Sequence, residues 1–173
     1  FPAGDAYEPL TPARILDTRD GTGAPGRPVG AGGSLNLTVT GVGGVPESGV
    51  GAVVLNLTGT QPTAATFVTA YPTGAVRAGS NLNLLPGQTD ASLVIATVGA
   101  GGQVSLYNAF GTTHLIADVA GWFPAGSDYH ALPQARILDT REGLGAAQAK
   151  VPAGGTLVLD VTGAGGVPAD DVG

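Results

Sequence analysis

Alternating apolar and polar residues recur along most of this chain, with the period of two that is typical of β-strands. In residues 35–39 three apolar side chains alternate with an asparagine and a threonine, and Val53, Leu55 and Leu57 share one face of the next run. Runs of this kind predict eight strands, over Ala13–Thr18, Leu35–Val39, Ala52–Thr60, Thr66–Tyr71, Asn81–Leu84, Ser92–Val98, Gln103–Asn108 and His114–Phe123. Because no segment keeps a helical period for more than two turns, the sequence predicts an all-β protein.

The stretches between these runs are rich in glycine and proline, which is typical of short strands joined by tight turns. Their spacing of 8 to 14 residues favours an antiparallel β-sandwich or barrel, jelly-roll-like or Greek-key-like. The strands at 52–60 and 66–71 are expected to form a hairpin across residues 61–65. In the first strand, simple alternation places Arg14 and Leu16 on one face.

One segment of the chain occurs twice. Ala13–Arg19 returns letter for letter as Ala135–Arg141, an offset of 122 residues. The match runs without a gap from Phe1 and Phe123 to the last residue, and about 31 of the 51 pairs are identical, which marks an internal repeat. The duplicated segment is therefore a candidate junction element between modules.

The repeat also predicts the domain organisation. Residues 1–122 are expected to form a complete module of about eight strands, and residues 123–173 the first part of a second. Because a tandem repeat defines its unit only up to circular permutation, residues 52–173 are an alternative unit. The natural partners of such a segment are neighbouring repeat modules or other copies of the chain, which its strands would complete by strand addition.

Composition narrows the classes of partner. The net charge is −6 and Lys150 is the single lysine, so neither nucleic acid nor an anionic membrane surface is expected to bind. No run of eighteen apolar residues occurs, so membrane insertion is not expected. Cysteine is absent, which excludes disulfides and thiol chemistry. The start at Phe1, with neither a methionine nor a signal peptide, predicts processing or excision from a longer protein.

The strings PARILDTR, VTGVGGVP, AVVLNLT, SNLNLLPGQ and VSLYNAFGTTHLIADVAGWF follow one another in this order. Together they resemble a repeat module that occurs, often in tandem, in secreted and cell-surface proteins of actinobacteria and other bacteria. Such modules commonly accompany hydrolase or amidase domains. The resemblance covers the whole chain and implies an extracellular, cell-surface location and an accessory or structural role. It supplies no catalytic residues.

Four charged residues stand out in a chain of which only 12% is charged: Arg14, Asp17, Arg19 and Asp118. One interpretation is a polar pocket for a sugar or a carboxylate, with arginine as a planar donor. The other is a buried ion pair that holds the first strand beside the last. The second is favoured, because buried charges must be paired.

The segment Asp17–Gly21 also has the acid and glycine spacing of a calcium loop. It lacks the third carboxylate and the distal glutamate of a twelve-residue loop, so Ca²⁺ is a minor alternative and no other cofactor is expected. His114 and His130 are too isolated to form a zinc site, and His114 is expected to be solvated.

Asn81 and Asn83 alternate with leucines, so both amides are expected on one face, which Asn56 and Asn108 would extend. Asparagine rows can bind sugar hydroxyls, but asparagine also satisfies strand ends and turns. Three aromatic residues are candidates for a sugar-stacking platform or for core and module contacts: Tyr71, Tyr107 and Trp122.

Three functions are compatible with these features. The favoured one is a non-catalytic spacer or assembly unit of a bacterial surface protein or fibre. The second is a module that binds carbohydrate, such as cell-wall glycans, beside a secreted hydrolase. The third is a glycosidase, for which Asp17 and Asp118 are the one acid pair available, and no enzymatic activity is expected.

Overall fold

The computed structural model of the chain describes residues 7–127, 129–130, 132 and 135–170. The chain divides into two units, Phe1–Ala131 and Leu132–Gly173. The described part of the first unit contains eight strands: β1 (Glu8–Asp17), β2 (Gly33–Thr38), β3 (Val50–Thr60), β4 (Thr66–Pro72), β5 (Leu82–Leu84), β6 (Thr89–Thr97), β7 (Gln103–Asn108) and β8 (His114–Pro124). Each strand expected from the alternation is confirmed, and the largest difference is at β1, which begins at Glu8 rather than at Ala13.

The strands form two antiparallel four-stranded sheets. The first has the order β1-β8-β3-β6 and the second has the order β2-β7-β4-β5. Successive strands change sheet at every connection except β4–β5, which is the connectivity of a jelly roll. The expected antiparallel sandwich is therefore confirmed, and the sheets do not close into a barrel. Among the described residues no helix has the length and apolar character needed to cross a membrane.

The core lies between the sheets and is made of aliphatic side chains. Val53, Leu55 and Leu57 on β3 are fully buried, as their alternation predicts. Leu37 on β2 and Leu106 on β7 join the same cluster from the second sheet. Burying one such side chain is worth about 1.5–3 kcal/mol, so these aliphatic contacts are the main favourable contribution to folding.

The hairpin expected between β3 and β4 is wrong, because the two strands lie in different sheets. β3 pairs with β6 and β8, whereas β4 pairs with β5 and β7. The connection bonds instead to the β7–β8 loop. The Thr63 N–H donates to the Thr112 carbonyl over 2.9 Å, and the Thr112 N–H donates to Thr63 Oγ1 over 2.8 Å. These bonds hold the five-residue connection where it crosses between the sheets.

β1 contains a bulge that changes the predicted faces of its side chains. Arg14 pairs with Asp118 and Leu16 pairs with Ala117, so Ile15 is an extra residue in the ladder. Ile15 and Leu16 are both buried and Arg14 is exposed. The expectation that Arg14 and Leu16 share a face is therefore wrong, because an inserted residue reverses the alternation on one side of it.

In the second unit, residues 135–170 repeat residues 13–48 in sequence but form no strand. In the first unit the same sequence is extended because β1 pairs with β8 and β2 pairs with β7. The second unit keeps the bridge between Asp139 and Leu144, the counterpart of the bridge between Asp17 and Thr22.

Candidate functional site

The four charged residues singled out in the sequence come together where β1 meets β8. Asp17 Oδ1 accepts hydrogen bonds from the Arg19 backbone N–H over 3.0 Å and from Arg19 Nε over 2.8 Å. Asp17 Oδ2 accepts from Arg19 Nη2 over 2.6 Å and from Arg14 Nη1 over 3.4 Å. Arg14 Nε also donates to Asp118 Oδ1 over 3.0 Å. We call Arg14, Asp17, Arg19 and Asp118 the Asp17 clasp.

Burial within the clasp is uneven. The Asp17 side chain is 2% exposed, whereas those of Arg14 and Arg19 are 46% and 45% exposed. The carboxylate is therefore enclosed while the guanidinium groups reach into solvent. The Arg19 side-chain hydrogen bonds lower the pKa of Asp17 to about 2, against the opposing effect of burial. The hydrogen bond to Asp118 raises the pKa of Arg14.

This geometry decides what the clasp can do chemically. A pair of acids that hydrolyses a glycoside needs one carboxyl that stays protonated near neutral pH. Asp17 has the opposite property, because its pKa is lowered and Arg14 lies between it and Asp118. A calcium ion at Asp17 would have to displace guanidinium groups from both carboxylate oxygens. Across the described residues, no three His, Asp or Glu side chains converge to hold a metal ion.

Thr18 continues the attachment of β1 and was not singled out by sequence reasoning. Its backbone N–H donates to the Leu115 carbonyl over 3.0 Å, and its Oγ1 accepts the Leu115 N–H over 3.0 Å. Thr18 Oγ1 also lies 3.0 Å from His114 Nδ1. His114 is therefore a half-buried partner of Thr18 rather than the solvated residue expected. The signal in the sequence was the place of Thr18 inside the repeated string.

The expected asparagine face is not continuous. Asn83 on β5 is exposed, whereas Asn81 Oδ1 accepts the Ala70 backbone N–H over 2.8 Å. Asn56 lies on β3, in the other sheet. Asn108 is fully buried, so it cannot extend a surface row.

Asn108 instead joins several loops inside the molecule. Its amide nitrogen donates toward the carbonyl oxygens of Val29, Gly30, Phe110 and Gly111 at 3.0–3.2 Å. Its Oδ1 accepts from Thr66 Oγ1 over 2.7 Å. This role could not be predicted from the sequence, because the pattern of an asparagine at the end of a strand is the same whether its side chain points inward or outward.

An aromatic surface lies on the second sheet. The ring of Phe67 is 6.2 Å from the rings of both Tyr107 and Phe110. The Arg77 guanidinium lies 3.8 Å from the centre of the Tyr107 ring, and Phe110 is 57% exposed. Of the three aromatic residues that were candidates for a platform or for core contacts, Tyr107 lies in this surface, while Trp122 packs against the core. Tyr71 is occupied by a contact of 3.3 Å between its hydroxyl and Ser34 Oγ.

A cleft of about 300 Å³ lies beside β2. Its lining includes Arg27, Ser34 and Asn36. Ser105 Oγ donates to Asn36 Oδ1 over 2.8 Å, so the amide oxygen of Asn36 is already engaged by the adjacent strand. None of the six residues predicted as a site lines this cleft.

Comparison with known proteins adds no family to this description. No protein-family model matches the chain, and no curated protein matches it. What the chain does is therefore inferred from the contacts of the clasp, the aromatic surface and the repeat itself.

Proposed function

We propose that the chain is a non-catalytic repeat module that serves as a structural spacer or assembly unit of an extracellular bacterial surface protein or fibre. The observation that carries this proposal is the use of the charged residues. Arg14 joins β1 to Asp118 on β8, and both carboxylate oxygens of Asp17 accept hydrogen bonds from arginines two or three residues away. A carboxylate engaged in this way is paired within its own segment and has no free oxygen for a ligand.

The second copy of the string supports the same role. Asp139 Oδ1 accepts from the Arg141 N–H and Nε, each over 3.0 Å, and its Oδ2 accepts from Arg141 Nη2 over 2.7 Å. Arg136 Nη1 donates to Asp139 Oδ2 over 2.8 Å. The arrangement therefore forms from local sequence in both copies, as expected for an element built into every module of an array.

The path of the chain through the module suits a tandem array. Glu8 at the start of β1 pairs with Trp122 near the end of β8, so the chain enters and leaves at the same end of one sheet. Modules with this connectivity can follow one another without interrupting a core.

Aromatic contacts stiffen this end of the first unit. The Tyr7 hydroxyl donates to the Ala120 carbonyl over 2.8 Å, and the Tyr7 ring lies 5.4 Å from that of Phe123. Tyr129 is the counterpart of Tyr7 in the repeat. Its ring stacks on that of Phe123, with 4.4 Å between the ring centres. The tilted Tyr7 ring and the stacked Tyr129 ring thus both pack on Phe123, at the end of β8.

The proposal is tested by binding and localisation together. The purified chain is offered to peptidoglycan sacculi and to a glycan array, and antibody against it is applied to intact source cells. We expect surface labelling, no saturable binding and no release of reducing sugar. Saturable glycan binding or hydrolysis would overturn the spacer role.

A carbohydrate-binding module is the second candidate, and the aromatic surface favours it. Phe110 and Asn83 are exposed on the second sheet, beside Phe67. Rings that stack on sugar faces and amides that bond to hydroxyls are the usual elements of such a site. If the array gives binding, Phe110→Ala and Asn83→Ala should each weaken it, whereas Arg27→Ala, beside the cleft, should leave it unchanged.

A further inference from the structure

The segment from β1 to the turn after β2 closes one edge of each sheet. β1 pairs with β8 in the first sheet, and β2 pairs with β7 in the second. Eight of its residues are buried in the sandwich: Ile15, Leu16, Asp17, Thr18, Val29, Leu37, Val39 and Val45. Residues 13–48 thus act as a strand donor for the β7 and β8 edges.

Every one of these buried residues is identical in the copy. Their counterparts are Ile137, Leu138, Asp139, Thr140, Val151, Leu159, Val161 and Val167. Most differences fall at exposed positions, for example Asn36 and Thr38, which are Val158 and Asp160 in the copy, and the one half-buried difference is Val42, which is Ala164. Because a packed core is sensitive to a single methylene group, identity at every buried position means that the copy fits the same edges.

The copy also has the backbone shape of the first donor. The left-handed glycines recur with nearly equal angles, such as φ of 60° at Gly43 and 61° at Gly165. The turn after β2 is closed by a bond from the Gly41 N–H to the Val45 carbonyl over 3.1 Å, and the Gly163 N–H bonds to the Val167 carbonyl over 3.0 Å. The turns of the copy are therefore already formed, which lowers the entropy that strand pairing costs.

The apolar side chains of the copy are uncovered. Val161 is 46% exposed, whereas its counterpart Val39 is fully buried. Leu159 is partly exposed, whereas Leu37 is 1% exposed. When the copy enters an edge it buries this apolar face, and the donor that it displaces uncovers an equivalent one, so burial leaves the two arrangements close in free energy.

From these observations we infer that residues 135–170 are a second strand donor for the β7 and β8 edges of the same chain, interchangeable with residues 13–48. His130 is the counterpart of Glu8, and Glu8 pairs with Trp122. His130 therefore lies eight residues after Trp122, and the copy can return to β8 as a hairpin. Glu8 lies 114 residues from Trp122, so the entropy of closing the loop favours the copy.

The edges of a second molecule are a poorer target. Exchange adds no strand pair in either case, because β1 and β2 already fill these edges, but exchange between chains also costs translational entropy. The chain thus has two alternative modules, closed by the first donor or by the second. In an array of such repeats, each junction segment can pair with the preceding or with the following module. This inference holds whether or not the module binds a glycan.

Disulfide trapping tests the exchange, since the natural chain has no cysteine. Arg14 and Asp118 are register partners, so R14C/D118C reports the first donor and R136C/D118C reports the second. K150C/D118C is the matched control, because Pro28, the counterpart of Lys150, pairs with neither edge strand. We expect an intrachain R136C/D118C disulfide in the monomer, which becomes the main product when Leu16→Asp weakens the first donor. No disulfide in either background, or disulfides only between chains, would overturn the inference.

If either donor can complete the fold, the effect of disabling one or both can be measured independently by chemical unfolding. Leu16→Asp should keep a cooperative transition because the copy replaces β1, and Leu138→Asp should unfold like the natural chain. The L16D/L138D double variant should lose the transition. An L16D variant that is as unfolded as the double variant, or a double variant that folds as well as L16D, would contradict the exchange.

Discussion

Arg14 on β1 and Asp118 on β8 are linked through both backbone and side chain. They are opposite each other in the strand register, and Arg14 Nε donates a hydrogen bond to Asp118 Oδ1 over 3.0 Å. Arg14 also reaches Asp17, which is buried beneath it. One arginine thus links a half-buried carboxylate on the last strand to an enclosed carboxylate on the first. The two carboxylates are predicted to contribute very differently to stability.

Replacing the enclosed carboxylate should be costly. Asp17→Ala removes the partner of Arg19 and a hydrogen-bonded charge inside the fold, and we expect a loss of about 2–3 kcal/mol in the free energy of unfolding. Asp118→Ala breaks a more exposed pair and should cost about 1 kcal/mol or less. Urea unfolding of both variants measures the difference. Equal losses, or a fully stable Asp17→Ala variant, would contradict the structural role of Asp17.

The stability should also fall in acid over a defined range. The pKa of Asp17 is lowered from 3.8 to about 2 in the folded chain, so folding stabilises the ionised form. The stabilisation is present above pH 3.8 and is lost as the pH falls toward 2. Thermal melts from pH 6 to pH 2 should show this decline, and Asp17→Asn should show a shallower one. An identical acid profile for the two proteins would contradict the assignment.

The absence of a side chain at Gly121 leaves space for the Tyr7 ring. A Cβ atom at Gly121 would collide with the ring carbons and hydroxyl of Tyr7. Gly121→Ala should therefore cost about 1–3 kcal/mol through overpacking. Gly30→Ala is the control, because the space around Gly30 is open. In the G121A/Y7A double variant the two effects should be clearly less than additive, and additivity would show that Tyr7 is not seated at Gly121.

The two asparagines Asn108 and Asn83 should respond oppositely to the same change. Asn108→Ala leaves several carbonyl groups without their buried donor and Thr66 Oγ1 without its acceptor, so we expect a loss of about 3 kcal/mol or more. Asn83→Ala removes an exposed amide and should change stability by less than about 0.5 kcal/mol. The measurement is again the free energy of unfolding in urea.

The sequence predicted the strands well because their apolar positions alternate and their ends carry glycine and proline. It failed where the outcome depends on contacts that alternation does not encode. The bulge at Ile15 inverted the predicted face of Arg14, and the crossing at Thr63 was taken for a hairpin because its length suits one. The charges of the clasp were predictable as a set, since Asp17 and Arg19 stand together in a sparsely charged chain. The attachment through Thr18 and the interior role of Asn108 were not predictable. Threonine and asparagine occur both at the surface and in the core, and the residue type alone does not distinguish the two.

The repeated Asp-Thr-Arg string attaches β1 to β8 through Thr18 and Leu115, and amide hydrogen exchange at Leu115 measures this attachment. The Leu115 N–H donates to Thr18 Oγ1, one residue from Asp17, whereas the Ala70 N–H donates to Asn81 Oδ1 in the other sheet. In Asp17→Ala, protection of the Leu115 amide is predicted to fall by about tenfold more than that of the Ala70 amide. Equal loss at both amides, or unchanged protection at Leu115, would contradict the claim.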